Sequence, residues 1–240
     1  SLSFSKSVMI VSFLLECKSL FFLFYHSYRR KSQWRTSRFP HHSLTTFLLS
    51  PMLDVEFMKE EFIMSQLTLA KAKEILPKYT TEDHLFTHAM AVSAAMGAMA
   101  DYFHADKDHW EAIGYLHDVD YEKYPNEHCH HVREFLEPEG VDEEDINTII
   151  SHGWGICDND VEPTTDIEKS LFTVDELTGV VMAYALMRPE GITGMEVKGL
   201  KKKFKDKRFA AGCNRDVIKK GFAMLGLDAG TVMQACIDGM

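Results

Sequence analysis

From about residue 65 onward, apolar residues recur every three or four positions, with no sustained alternation of apolar and polar residues. That period predicts helices rather than strands. The first predicted helix covers residues 66–76 and ends before Pro77, whose ring and missing N–H oppose its continuation. Thr80 or Thr81 is a candidate N-cap for a second, which runs to about Phe103 with Leu85, Ala89, Val92, Met96, Met99 and Ala100 on one face. His88 stands three residues after Leu85 and four before Val92, so it shares that face. A third helix is predicted over 107–118 and a loop over 119–126. A helix over 127–137 would be stopped by Pro138 and Gly140, and Asp142 opens another that carries His152 at its end. After a loop over 153–163, Thr164 or Thr165 caps a long helix to about Met187, with Asp175 at its middle. A basic stretch, 198–208, precedes short helices over 215–225 and 228–238. The expectation is an all-α fold, a compact multi-helix bundle without internal repeats.

Residues 1–63 have a different character. They show neither helical periodicity nor caps, and residues 8–25 form an apolar run followed by Arg29, Arg30 and Lys31. Glu16 and Lys18 interrupt that run, where a membrane span would pay about 2.5–3.5 kcal/mol for each. Stable membrane insertion is therefore not expected. At Met64 the text turns into a clean amphipathic start. The segment 1–63 is read as a non-core extension, either disordered or preceding the true start of translation. Residues 64–240 form the helical domain, with a core over about 80–190 and a basic, helical tail over 191–240.

Charge sharpens this division. The chain carries 26 Lys and Arg against 36 Asp and Glu, but residues 1–50 sum to +6 and residues 51–240 to −16. An acidic domain of this kind repels a phosphate backbone, which argues against general nucleic-acid binding. The five cysteines, Cys17, Cys129, Cys157, Cys213 and Cys236, are odd in number and form no C-x-x-C. Zinc-ribbon, redox-motif and disulfide-framework readings therefore fail, and a reducing cytoplasm fits best. No glycine-rich phosphate loop and no G-x-S-x-G elbow is present.

The candidate chemistry lies in His and Asp residues distributed over separate predicted helices: inward His88, the adjacent pair His117-Asp118 closing a helix, His152 at a helix end, and Asp175 in mid-helix. Imidazole and carboxylate bind borderline-to-hard divalent metals. An unpaired carboxylate at a buried mid-helix position is costly, and a cation would compensate it. Bundle-core metal sites are assembled from facing helices in this way. His128 and His131 lie about one helical turn apart and could share a face, with His130 pointing elsewhere; a solvated helix N-terminus is an equal reading of that cluster. His84, His104 and His109 read as surface residues.

The order His88, His117-Asp118, His152, Asp175 resembles the HD-domain superfamily of metal-dependent phosphohydrolases over residues 80–190. The basic tail is similar to that of an uncharacterised bacterial group of predicted HD-domain hydrolases. The resemblance implies His88, His117, Asp118 and Asp175 as ligands of a primary ion, and His152 with His128 or His131 as ligands of a second. The cofactor would be one or two divalent ions per chain: Mn, Fe, Co, Ni, Zn or Mg. Asp118, Asp120 and Glu122 are candidates for positioning water or protonating a leaving oxygen, although Asp120 and Glu122 also read as turn and surface contacts. Lys123, Arg188, Lys202 and Lys205 are candidate grips for substrate phosphate, against the plainer reading of the basic stretch as a solvated face. The implied partner is a small phosphorylated molecule, and Met90, Met96 and Met99 belong to the core or to a homodimer surface. Two other functions remain open, an HD-type di-iron oxygenase and a non-catalytic, metal-containing ligand sensor.

Overall fold

Residues 67–240 are described by a computed structural model, and the expectations for residues 1–63 lie outside them. Among the described residues there are nine α-helices and no β-strand. They are α1 (Leu69–Ile75), α2 (Asp83–Phe103), α3 (Lys107–Leu116), α4 (Val132–Leu136), α5 (Glu143–Ser151), α6 (Asp166–Leu186), α7 (Val197–Lys205), α8 (Arg215–Leu225) and α9 (Ala229–Gly239). The all-α expectation holds for this part of the chain. None of these helices is long and apolar enough to cross a membrane.

Local chemistry sets most boundaries. Side chains of Thr68, Asp106, Asp142, Asn214 and Asp228 accept backbone N–H groups in the first turns of α1, α3, α5, α8 and α9. Thr165 and Glu168 form a reciprocal capping box at α6. The first helix ends at Ile75, before Pro77 as expected, and the chain continues into a short 3-10 turn, Leu76–Lys78, where a missing N–H costs little. Two boundaries differ from the sequence reading. Neither Thr80 nor Thr81 caps α2; Glu82 stands at the N-cap position without a side-chain bond of its own. The helix expected over 127–137 shrinks to Val132–Leu136. The segment before it is a series of turns, with Pro125 lacking a donor and Cys129 in the left-handed region at φ 70°. The basic stretch, by contrast, forms α7 up to Lys205.

Helix α2 is the central element and packs on α3, α6 and α9. Val92, Ala95, Met96, Met99 and Ala100 are fully or almost fully buried along it. Of the three methionines in question, Met96 and Met99 lie in the core and Met90 is exposed. The approach of α3 to α2 depends on Gly114: a Cβ there would come within 3.0 Å of the Val92 carbonyl oxygen and 2.9 Å of Met96. That contact seats the end of α3, and with it His117, against α2.

His109 is a departure from its expected surface role. Its Nε2 lies 2.7 Å from Oδ1 of buried Asp145, tying α3 to α5. Burial pushes its pKa down, but the bond and charge of Asp145 outweigh this and raise it above 6.5. A raised folded pKa means that the stabilisation is complete below about 6.5 and fades as pH rises through the folded value. His109→Ala is expected to cost about 1–2 kcal/mol at pH 6, and less at higher pH. Denaturant unfolding of both proteins across this range checks the sign; a cost that grows with pH would contradict it.

Candidate metal centre

Three helices deliver four side chains to one point. His88 comes from the first half of α2, His117 and Asp118 from the end of α3, and Asp175 from the middle of α6. Nε2 of His88 lies 3.1 Å from Nε2 of His117 and 3.0 Å from Oδ1 of Asp175. Oδ2 of Asp118 is 3.5 Å from His88 Nε2 and 3.3 Å from His117 Nε2, and His117 Nε2 is 3.4 Å from Asp175 Oδ1. Neighbouring ligands of one ion, at bonds of about 2.0–2.2 Å, stand about 3.0–3.5 Å apart. The spacing therefore fits a divalent cation.

The hydrogen bonds behind the ligands support this fit. His117 Nδ1 donates to the Gly114 carbonyl at 2.8 Å, and His152 Nδ1 donates to Ile149 at 2.5 Å. A histidine that donates from Nδ1 in its neutral form points its Nε2 lone pair inward, the arrangement common among metal-ligating histidines. Two Nε2 atoms facing each other then require a cation or a shared proton between them. Electrostatics agrees. Burial opposes charge on His117, but Asp118 and Asp175 overcome it and raise its pKa well above normal. Asp175 is held well below the usual carboxylate range by His117 and His88, despite its burial.

A second cluster adjoins the first. Oδ1 of Asp118 turns away from the first group and lies 3.1 Å from His128 Nε2 and 3.7 Å from His152 Nε2. The two imidazole nitrogens are 3.0 Å apart. Asp118 thus serves both clusters, one oxygen to each. Burial lowers the His152 pKa to about 4, with the positive neighbours His128 and His117 adding to the effect. Burial is overridden at His128, whose bonds to Asp118 and Asp120 raise its pKa to about 10.

Other expected site residues have different positions. Fully buried Asp120 accepts from His128 Nδ1 at 2.8 Å and from the His131 backbone N–H at 3.1 Å. It orients His128 and does not line the cavity. His131 is not brought to the second cluster; it stacks on Tyr124 at 3.8 Å, and its Nε2 bonds Glu127 at 2.8 Å. Glu122 accepts from Thr81 N at 2.7 Å, Thr81 Oγ1 at 2.7 Å and Glu82 N at 3.1 Å, and so caps α2 from outside. Lys123 lies 5.2 Å from the Tyr79 ring and 5.0 Å from that of Phe135. Arg188 donates to the Thr193 carbonyl at 3.0 Å. Lys202 and Lys205 line a separate groove along α7.

The two clusters open into a cavity of about 840 Å³ whose wall includes His84, His130, Tyr121, Cys157, Glu176 and Cys213, with no Lys or Arg among the described residues. Four of these wall groups carry chemistry that the sequence reading passed over. His84 is highly exposed yet stands on the rim. His130 Nε2 donates to the Cys157 carbonyl at 2.7 Å. Glu176 accepts from Asn214 N at 2.9 Å, and burial raises its pKa. Cys129 is buried just behind His128, and a hydrogen bond from it lowers the Cys157 thiol to about 7. The adjacency His128-Cys129 was the available signal, but without a C-x-x-C it carried no weight. No family model, curated protein or solved structure matches the chain.

A metal-stripped sample is expected to gain thermal stability with Mn(II), by about 2.7 kcal/mol at a hundredfold excess over Kd. His117→Ala lowers the gain by removing uptake at the first cluster. Asp120→Asn weakens uptake at the second cluster by about 10–100-fold through loss of His128 orientation. Calorimetric titration measures both, and wild-type affinity at both clusters in Asp120→Asn would remove Asp120 from this role.

Proposed function

We propose that the chain is a metal-dependent phosphohydrolase of the HD-domain type that acts on a small phosphoester, such as a nucleotide. The observation that carries this reading is the pair of adjoining donor clusters joined through Asp118, open to a cavity large enough for a small metabolite. His88, His117, Asp118 and Asp175 would hold one ion; His128 and His152, with Asp118, would hold another. Divalent ions at such sites supply Lewis acidity toward a phosphoryl oxygen and a nucleophile from water at neutral pH.

The protein's own groups do the remaining work. With no Lys or Arg in the cavity wall among the described residues, the negative charge of a phosphate would be balanced by the ions and by imidazoles. His84 and His130 stand on the wall, where their ring N–H groups can donate to phosphoryl oxygens. Asp120 keeps His128 oriented. Glu176 follows Asp175 and faces the same cavity; burial lets it retain a proton to higher pH than a solvated glutamate. It is the carboxyl suited to protonating the leaving oxygen. Lys123, Arg188, Lys202 and Lys205 have no part in this arrangement, and Glu122 contributes through the α2 cap.

The same six donors also favour a second reading, a di-iron oxygenase, since imidazole and carboxylate suit iron as well. Iron content and oxygen uptake separate the two.

Phosphate release across a panel of nucleotides and sugar phosphates, with Mn(II) added or stripped, tests the main reading. Metal-dependent turnover of at least one compound is expected, absent in His117→Ala and lowered about 10²-fold or more in Glu176→Gln. Glu122→Gln keeps turnover near wild type but lowers thermal stability. Absence of phosphate release over the whole panel, with two irons per chain and oxygen consumption, would replace the hydrolase by the oxygenase. Ligand-induced stabilisation without turnover would point to a sensor.

A further inference from the structure

Cys129 brings a different kind of donor to the second cluster. It follows His128 directly, is 2% exposed, and its Sγ lies 3.7 Å from His152 Nε2. Ligand atoms of His128, Cys129 and His152 all fall within 4.8 Å of one another. Zinc bonds of about 2.3 Å to sulfur and 2.0–2.1 Å to nitrogen, opened to a tetrahedral angle, place S and N about 3.6 Å apart. The His152–Cys129 separation matches that value, and the two imidazole nitrogens are close enough to share the same ion.

The backbone is arranged around this sulfur. The turn that carries Cys129 holds it at φ 70°, a conformation that non-glycine residues seldom adopt. Opposite, residue 153 is glycine, and a Cβ there would come 2.5 Å from the Cys129 sulfur and 3.0 Å from the Cys157 Cβ. Gly153 follows the ligand His152, so the chain leaves room for the thiol at the point where the imidazole enters.

We propose that His128, Cys129 and His152 form a sulfur-containing half of the centre that takes Zn(II), while His88, His117, Asp118 and Asp175 hold the ion of the all-nitrogen-and-oxygen half. The inference rests on the metal-centre reading and gives it a chemical asymmetry. A thiolate donor favours zinc over Mn(II) or Mg(II), whereas the other half has only imidazole and carboxylate. On binding, the Cys129 proton leaves to solvent. The neighbouring Cys157 thiol then stands as a hydrogen-bond partner to the coordinated sulfur, a contact of the type that tunes a ligand from behind.

Co(II) serves as the optical probe, since it occupies zinc sites and gives an intense near-ultraviolet charge-transfer band when bound to thiolate. The full chain, stripped of metal and titrated with Co(II), is expected to develop this band. Cys129→Ser loses it, and Cys157→Ser and Cys213→Ser retain it. X-ray absorption at the zinc edge of the Zn(II)-loaded wild type and Cys157→Ser proteins gives a sulfur neighbour at about 2.3 Å, which does not depend on the Cys129 variant folding. Bound Co(II) without a thiolate band, a band that survives Cys129→Ser, or zinc with only nitrogen and oxygen neighbours would each overturn the sulfur ligand while leaving the metal centre intact. Failure to take up any metal would overturn both.

Discussion

Everything about the candidate site follows from one electrostatic constraint: two aspartates and four imidazoles meet in the interior with no lysine or arginine among the described residues there. Carboxylates removed from water are strongly destabilised unless paired. Here the available partners are histidines, whose own inward nitrogens face one another at 3.0–3.1 Å. Without added cations, protons must occupy those gaps, which is why the carboxylate pKa values are driven down and those of His117 and His128 driven up. Divalent ions satisfy the same geometry with a stronger charge.

Holding those groups together requires close helix packing. Small residues along α2, among them Ala89 and Ala95, and Gly114 on α3 let the helix axes approach, so that His117 reaches His88. The tight turns between α3 and α4 perform the second task. Asp120 binds the turn from inside, taking a backbone N–H and the His128 ring together, so backbone shape and ligand orientation are set by one buried carboxylate. Glu122, two residues on, secures the start of the helix that carries His88. The loop that follows the His117-Asp118 pair is therefore structural support for the site more than a source of catalytic groups.

The charge distribution bears on substrate choice. Although α7 is strongly basic, its lysines line a groove of their own and do not reach the wall of the cavity. A bound anion in the cavity meets histidines and whatever ions the two clusters hold, together with the acidic side chains Glu127, Asp158 and Glu176. On the proposed hydrolase reading, such a wall would suit a compact phosphoester better than a long polyphosphate, whose additional charges would find no cationic side chain among the described residues.

The sequence alone determined the helical class and most helix positions, which rest on local physics: apolar spacing and capping residues. It offered the side chains of the first cluster as His and Asp on separate helices, grouped as one set by their resemblance to the HD-domain order. It also offered His128 and His152, but with His131 as an equal alternative, because a helix was expected where the chain makes turns. Only the tertiary structure decided between them. Turns around Asp120 carry His131 out against Tyr124 and bring Cys129 inward, and no periodic pattern encodes that reversal. The separation of Lys123, Arg188 and the α7 lysines from the cavity was equally invisible, since a charged side chain's neighbours are set by how distant helices pack. Residue types and local periodicity specify which groups can bind an ion; three-dimensional packing specifies which of them meet.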